Sequence, residues 1–328
     1  MEGEEMHATR PRRCRHAARA ALLGGTLLAL PGGAAAQGVV DSSAAFQASL
    51  IAAEAAASGL AAEAGLGPAL VAVGADDLVL VYPGAPVLSG RETVRQFLAS
   101  QPDTGSQRLH WVPLHAEASS DGTFGVTYGV TYGVTGISSR APDGDSAIRF
   151  GKYLSAWVRT PAGWRLAAHA QLHLVDPSAV TVPPGFMAPS PPPPDWARAS
   201  TAFALADSEF AALAGREGAV VAFTAYAAAD AVTFPANGLL TRGPVAIGRA
   251  VADEGLPSHW RWRPVAVGGS DRGDLGFTVG EAEIRSGDAA GEGAVYYGKY
   301  LTLWRRDADG AYRFLADGGN SRPVPVRP

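Results

Sequence analysis

One pattern occurs twice in this chain. The segment Tyr297-Gly298-Lys299-Tyr300-Leu301-Thr302-Leu303-Trp304-Arg305-Arg306 repeats, with substitutions, the earlier Phe150-Gly151-Lys152-Tyr153-Leu154-Ser155-Ala156-Trp157-Val158-Arg159. Lys152 and Lys299 are the only lysines in the sequence and fall at the same place in each copy. A long internal repeat constrains the fold more than composition does, because each copy must be a unit that folds in the same way. Other positions correspond around it. Asp77 matches Asp230 and Gly90 matches Gly243, at a spacing of 153. Trp111-Val112-Pro113 matches Trp262-Arg263-Pro264, and Gly125, Thr127 and Gly129 match Gly276, Thr278 and Gly280, at 151. The lysine segments match at 147, so the first copy carries four extra residues between Gly129 and Gly151. The doubled Gly-Val-Thr-Tyr at 125–128 and 129–132 is a unit of that size, and an even insertion keeps later strand residues on their original faces. The alternative is a longer loop around Ser138–Ser146.

Each copy runs from helix to strand. Ser42 to about Gly74 is rich in Ala, Leu and Glu and predicts one or two helices, interrupted near Gly59 and Gly65–Gly67. Leu78–Tyr82 predicts a strand, and Ser89-Gly90-Arg91-Glu92 a capping box opening a helix to about Leu98. Long strands follow at Leu109–Ala118, Phe124–Ile137, Ile148–Arg159 and Trp164–Leu174, parted by Gly- and Pro-containing turns. The second copy predicts a helix over Ser200–Ala229, a strand at Ala231–Phe234 and a helix with Pro244 in its first turn. Its long strands are Trp260–Val267, Leu275–Arg285, Val295–Arg306 and Tyr312–Ala316. Pro183-Pro184-Gly185 and Pro191–Pro194 can neither pair in a sheet centre nor continue a helix, and mark a stiff spacer. The expected organisation is a leader over 1–36, a first domain over 38–178, a linker over 179–195 and a second domain over 196–328.

The leader is read from a basic stretch, Arg10 to Arg19, an apolar run, Ala20 to Leu30, and Ala34-Ala35-Ala36 as a small-residue cleavage site. This predicts export, periplasmic or secreted, by the general or the twin-arginine route. The single cysteine, Cys14, lies in that leader, so the remainder can form no disulfide or thiolate metal site. Net charge is −4; the leader holds five Arg and three Glu, which leaves −6 without it. With no basic face, nucleic acid is excluded as a partner, and the apolar run is too short for a permanent membrane anchor.

The ordered pattern of helices, Ala-Asp-Asp-Leu-Val-Leu (Ala-Asp-Ala-Val-Thr-Phe in the second copy), a Gly-led helix, Trp-x-Pro, Gly-Lys-Tyr-Leu-x-x-Trp and a closing hairpin resembles the nuclear transport factor 2-like, SnoaL-like superfamily. The resemblance covers nearly all of the chain outside leader and linker. It implies an α+β fold of two cone-like domains, each with helices packed on a curved antiparallel sheet and an apolar pocket at the open end. It also implies pairing through the sheets, within the chain or as a homodimer. Members include ketosteroid isomerase, dehydratases, cyclases and binding modules, so the fold leaves the function open.

Strand alternation divides the repeated segment into two faces: Gly298, Tyr300, Thr302 and Trp304 on one, Lys299, Leu301 and Leu303 on the other. Lys152 and Lys299 are candidate ligand contacts, as are Trp157 and Trp304, although a lysine head at solvent and a tryptophan in the core are the ordinary uses of such positions. Aligning Trp164 with Tyr312 matches His169 with Asp317. Hairpin folding then sets Tyr300 near Asp317 and Tyr153 near His169, a phenol beside a base in each copy. Those four are the candidate catalytic residues for an isomerase, lyase or dehydratase. The leading expectation is binding of a small apolar or carbonyl-bearing ligand, and a further alternative is a non-catalytic assembly module. No metal or other cofactor is expected: His110 and His115 fall on opposite faces of their strand, and His169 and His173 are too far apart for one ion. Asp76, Asp77 and Asp230 are expected to cap local backbone.

Overall fold

Glycines punctuate the first elements of both halves. The computed structural model describes residues 34–101, 108–134, 148–172, 199–235, 238–253, 259–285 and 294–325. Helix α1 (Ala34–Ala64) runs through Gly59 and stops at Gly65, whose φ of 99° suits a residue without Cβ; α2 (Leu66–Val73) follows. In the second half α4 (Ala199–Glu217) and α5 (Ala219–Tyr226) are divided by Gly218 in the same way, at φ 92°. The strand β1 (Gly74–Val81) and the short β2 (Leu88–Ser89) lead to α3 (Arg91–Ser100). β7 (Ala227–Thr233), β8 (Thr241–Arg242) and α6 (Pro244–Asp253) repeat that order. The long strands are β3 (Arg108–Ala118), β4 (Phe124–Val134), β5 (Ile148–Thr160) and β6 (Gly163–Leu172). Their counterparts are β9 (His259–Gly269), β10 (Leu275–Arg285), β11 (Val295–Arg306) and β12 (Tyr312–Ser321).

The sheets have the same order, β2-β1-β6-β5-β4-β3 and β8-β7-β12-β11-β10-β9. The long strands pair antiparallel, and β1 and β7 join parallel to β6 and β12. The expected α+β architecture of two helix-backed sheets is therefore present.

Four details differ from the sequence expectations. Gly129 faces Tyr153 and Gly280 faces Tyr300 in equivalent register, and both ladders end five residues later, at Val134–Ile148 and Arg285–Val295. Thirteen residues (135–147) join the first pair of strands and nine (286–294) the second, so the four extra residues lie in the connection, not in the doubled Gly-Val-Thr-Tyr. The capping box is not made: Gly90 occupies the cap position, Ser89 Oγ is buried without a partner, and Glu92 bonds Arg95 and Gln96 instead. A bulge between Pro113 and His115 shifts the register, so His110 and His115 share a face, stacked on Tyr132 and Tyr128. Asp77 and Asp230 bond local backbone as expected, but Asp230 also holds the guanidinium of Arg305 at 2.6 Å, and Asp76 pairs with Arg91. The Pro-rich linker lies outside the described residues.

Three cores result. One lies between α1–α3 and the first sheet, and one between α4–α6 and the second. The third lies between the two sheets, where Phe124, Val126, Leu154 and Ala156 meet Phe277, Val279, Leu301 and Leu303. Helix α1 includes Ser43–Ala64, which by length and composition could cross a membrane; here Leu50, Glu54, Ala57 and Ala61 are buried under the first sheet. The pairing of the halves has approximate two-fold character at its turns. Ser120 N–H donates to Asp274 Oδ2 (2.8 Å), and its counterpart Asp271 N–H donates to Thr123 Oγ1 (3.3 Å). Arg305 adds a bond to Glu117 across the seam at 3.2 Å.

Candidate functional site

The face of β11 that carries Tyr300, Thr302 and Trp304 turns toward the helices, and β5 does the same with Tyr153, Ser155 and Trp157. An acid from the long helix meets them in each half. In the second, Asp207 of α4 accepts hydrogen bonds from Tyr300 Oη (2.9 Å), Trp262 Nε1 (3.1 Å) and Thr278 Oγ1 (2.5 Å), and Thr278 accepts one from Trp304 Nε1 (2.8 Å). In the first, Glu54 of α1 accepts from Thr127 Oγ1 (3.1 Å), which accepts from Trp157 Nε1 (3.2 Å). Tyr153 Oη and Glu54 Oε1 are both buried and close enough to influence one another, though not in strict hydrogen-bond geometry. Buried carboxyls without a cation are costly to ionise. Burial raises Glu54 to about 7 and Asp207 to about 6, against the lowering effect of their hydroxyl and indole donors. Both tyrosines are held well above the usual phenol value, first by burial and then by the neighbouring acid.

These two acids were missed in the sequence, although a signal existed. Glu54 and Asp207 are separated by 153, the spacing of the Asp77/Asp230 pair, on otherwise apolar helical faces.

The second domain encloses a cavity of about 420 Å³. Phe210, Phe223, Trp260, Trp262, Val251 and Ile284 supply much of its wall, while Tyr300, Thr302 and Asp317 bring polar groups to it. Its existence follows from four exchanges between the copies. Where the first domain buries Tyr82, Phe97, His169 and Gln171, the second has Pro235, Ala250, Asp317 and Gly319, all lining the cavity. The first interior is thus occupied by its own side chains. There the rings of Trp111, Tyr153 and His169 lie 5.6–6.2 Å apart.

Asp317 stands opposite Thr302 in the ladder and accepts its hydroxyl at 2.6 Å through Oδ2. It is half-buried at the cavity wall, and the surrounding protein raises it to about 7 by desolvation, with a further contribution from the Asp207 charge. Tyr300 faces Gly319, one step along the same face, so Tyr300 and Asp317 share the cavity. The single hydroxyl proton of Tyr300 is directed at Asp207, so the phenol presents lone pairs rather than a donor to the cavity. His169 is opposite Ser155, with Nδ1 2.9 Å from Ser155 Oγ, and burial depresses it to about 4.

The lysines occupy the other face. Lys152 and Lys299 are only 7 % and 1 % exposed, so neither head reaches solvent as a surface lysine would. Lys299 Nζ donates to Asn320 Oδ1 (2.5 Å) and Ser321 O (2.6 Å) in its own domain, whereas Lys152 Nζ donates across the seam to Pro235 O (2.5 Å). Burial lowers both from the usual lysine value, Lys299 strongly, with the Arg322 charge adding to it. Lys299 contributes to the cavity wall, but its ammonium is turned away from Tyr300 and Asp317. Trp157 and Trp304 are core residues whose indoles bond Thr127 and Thr278. Among the described residues no cluster of three His, Cys, Asp or Glu could hold a metal ion.

Residues 51–169 match the SnoaL-like domain family. The first half is thus a SnoaL-like domain, and the second repeats its strand order. Similar solved structures include a putative ketosteroid isomerase from Parabacteroides distasonis, at 16 % identity over 36 % of this chain and 83 % of that one, TM-score 0.29. A nuclear transport factor 2-like protein of unknown function from Pseudomonas putida is also similar, at 16 % identity over 37 % and 85 %, TM-score 0.31. So is a ketosteroid isomerase-like protein from Erwinia carotovora atroseptica, at 19 % identity over 40 % and 95 %, TM-score 0.30. No curated protein matches the chain.

Proposed function

We propose that the second domain binds a small, mostly apolar, carbonyl-bearing molecule in its cavity, and that the first domain is its non-catalytic structural partner. The observation that carries this is the aromatic-walled space of about 420 Å³ with one carboxyl, Asp317, held near neutrality inside it. Apolar walls with few placed polar groups are the usual form of a small-molecule site. At neutral pH a share of Asp317 is protonated and donates to a ligand oxygen, and the aromatic wall takes the apolar body.

A second reading, acid–base catalysis of the isomerase, lyase or dehydratase kind, is favoured by the same carboxyl. A group titrating near 7 can both accept and return a proton beside a carbonyl. Asp317 would be the base, with Tyr300 fixed next to it by Asp207. The basic and apolar runs at Arg10–Leu30 further support export, which N-terminal sequencing of protein recovered outside the cytoplasm tests: a start at Gln37 is expected, and an intact leader would overturn it.

Binding is tested with Prodan, an apolar fluorescent ketone whose emission shifts blue in dry surroundings. The wild-type chain should bind it at about 10 µM, the affinity that roughly 0.4 kcal/mol per non-hydrogen atom gives a ligand of this size. Ala282→Trp, which fills the cavity, should weaken it about tenfold or more. Absence of saturable binding to the wild type, or unchanged binding to Ala282→Trp, would overturn the assignment.

A further inference from the structure

We infer that the first domain positions one wall of the second domain's cavity, and that Lys152 is the residue that fixes it. The inference rests on the cavity being a ligand site. The wall concerned is formed by Phe234–Pro235 and Gly318–Asn320. In the sheet, β7 pairs with β12 only as far as Thr233 and Asp317. Past that point the ladder between them ends, although Phe234 still lies against Gly318, and none of the described β7 residues pairs with Gly318, Gly319 or Asn320. β11 holds Gly318–Ser321 on one side, from Leu301↔Gly318 to Gly298↔Ser321, while the opposite edge, past the end of β7, is open to another partner.

The first domain supplies what β7 does not. Asn320 Nδ2 donates to Val81 O (3.1 Å) and Gln171 O (2.9 Å), and Gly84 N–H donates to Ser321 O (3.0 Å). Gly318 lies so close to Leu172 and Leu154 that a Cβ there would meet their methyl carbons at 2.8 and 3.0 Å. The Phe234 ring packs edge-on to Tyr128, with centroids 5.8 Å apart. Lys152 then closes the arrangement, its ammonium 2.5 Å from the carbonyl oxygen of Pro235.

Two features make Lys152 a positioning residue rather than a general stabiliser. Its counterpart, Lys299, bonds within its own domain, so the cross-domain bond is not a by-product of the duplication. Its acceptor is a backbone carbonyl of the cavity wall itself, so losing the bond frees the wall without removing a ligand contact. A buried charge-assisted hydrogen bond is among the stronger single contacts available for this purpose. The interior of the first domain is filled, yet the domain shapes the site in the second.

The test uses the full chain with Lys152→Met, which keeps the stem and removes the donors, and Lys152→Arg, which restores them. Amide hydrogen exchange at Phe234 and Gly318–Ser321 should quicken about tenfold in Lys152→Met, with the rest of the second domain unchanged. Prodan affinity should fall about five- to tenfold, the loss of one charged hydrogen bond partly relayed to the site, and Lys152→Arg should recover most of it. Leu172→Ala, which removes packing behind Gly318, should act in the same direction. Wild-type exchange at these amides in Lys152→Met would overturn the role of Lys152, and wild-type exchange in Leu172→Ala as well would overturn the role of the first domain. If the wild type fails to bind Prodan, the ligand-site reading falls, while the exchange measurement still decides whether Lys152 holds the wall.

Discussion

The two domains share a scaffold and differ in what fills it. Both keep the acid–Thr–Trp chain between long helix and sheet, Glu54–Thr127–Trp157 and Asp207–Thr278–Trp304. A network retained on both sides of a duplication, where the interiors are filled so differently, serves the scaffold. The site is found where the copies diverge. Tyr82, Phe97, His169 and Gln171 fill the first interior, and Pro235, Ala250, Asp317 and Gly319 leave the second open. Repetition locates the fold, and asymmetry locates the chemistry.

The largest test of this contrast exchanges one pair of residues. Phe97→Ala should lower the unfolding free energy in urea by about 3–5 kcal/mol, because a ring is removed from a packed interior. Ala250→Phe should change stability by only about 1 kcal/mol, since the ring enters existing space, and should abolish Prodan binding. Similar stability losses for the two would break the contrast.

The next test is the dependence on pH. Asp207 and Asp317 rise from an ordinary 3.8 to about 6 and about 7, so the folded state binds their protons more tightly than the unfolded state. The stability they add is fully present below about pH 3.8 and is lost as pH rises through 6–7. In the first domain Glu54, raised from 4.5 to about 7, behaves likewise. His169, depressed from 6.5 to about 4, opposes it: its contribution is present above pH 6.5 and is lost as pH falls toward 4. Melting temperature measured from pH 4.5 to 6.5 should therefore fall less steeply in Asp317→Asn than in the wild type. It should fall more steeply in His169→Gln. Parallel curves for all three proteins would contradict the difference in interior charge.

The smallest effect is expected at Ser89. A helix-capping serine usually contributes about 1 kcal/mol, but this hydroxyl is buried and unpartnered, so Ser89→Ala should be neutral or slightly stabilising by urea denaturation. The second domain has Arg242 at this place and forms its helix without such a cap. A loss near 1 kcal/mol would mean that a cap forms in solution.

Period-two alternation and turn residues made most of the long strands legible to within a few residues, although the last runs to Ser321 rather than stopping at Ala316, and the repeat made the presence of two like sheets legible. The faces of the lysine strand were also legible as two sets. Which set points inward was not, because alternation fixes relative and not absolute direction. The burial of Lys152 and Lys299 escaped the sequence for a related reason: the solvent-side face of one sheet is covered by the other, and that pairing is a tertiary fact. His110 and His115 show the limit of counting, since one bulge reverses the parity on which their separation depended. The acids Glu54 and Asp207 were recoverable from the spacing of the repeat but sit on helices, outside the strand motif that drew the comparison.

Joining the two sheets through one polypeptide removes association from the law of mass action. Partners on separate chains come apart on dilution, whereas here each half meets the other at a local concentration fixed by the tether. Scarcity of the protein therefore does not dismantle the seam between Phe124 and Phe277, whose rings stack 6.1 Å apart. One half was free to change its interior while the other kept its packing.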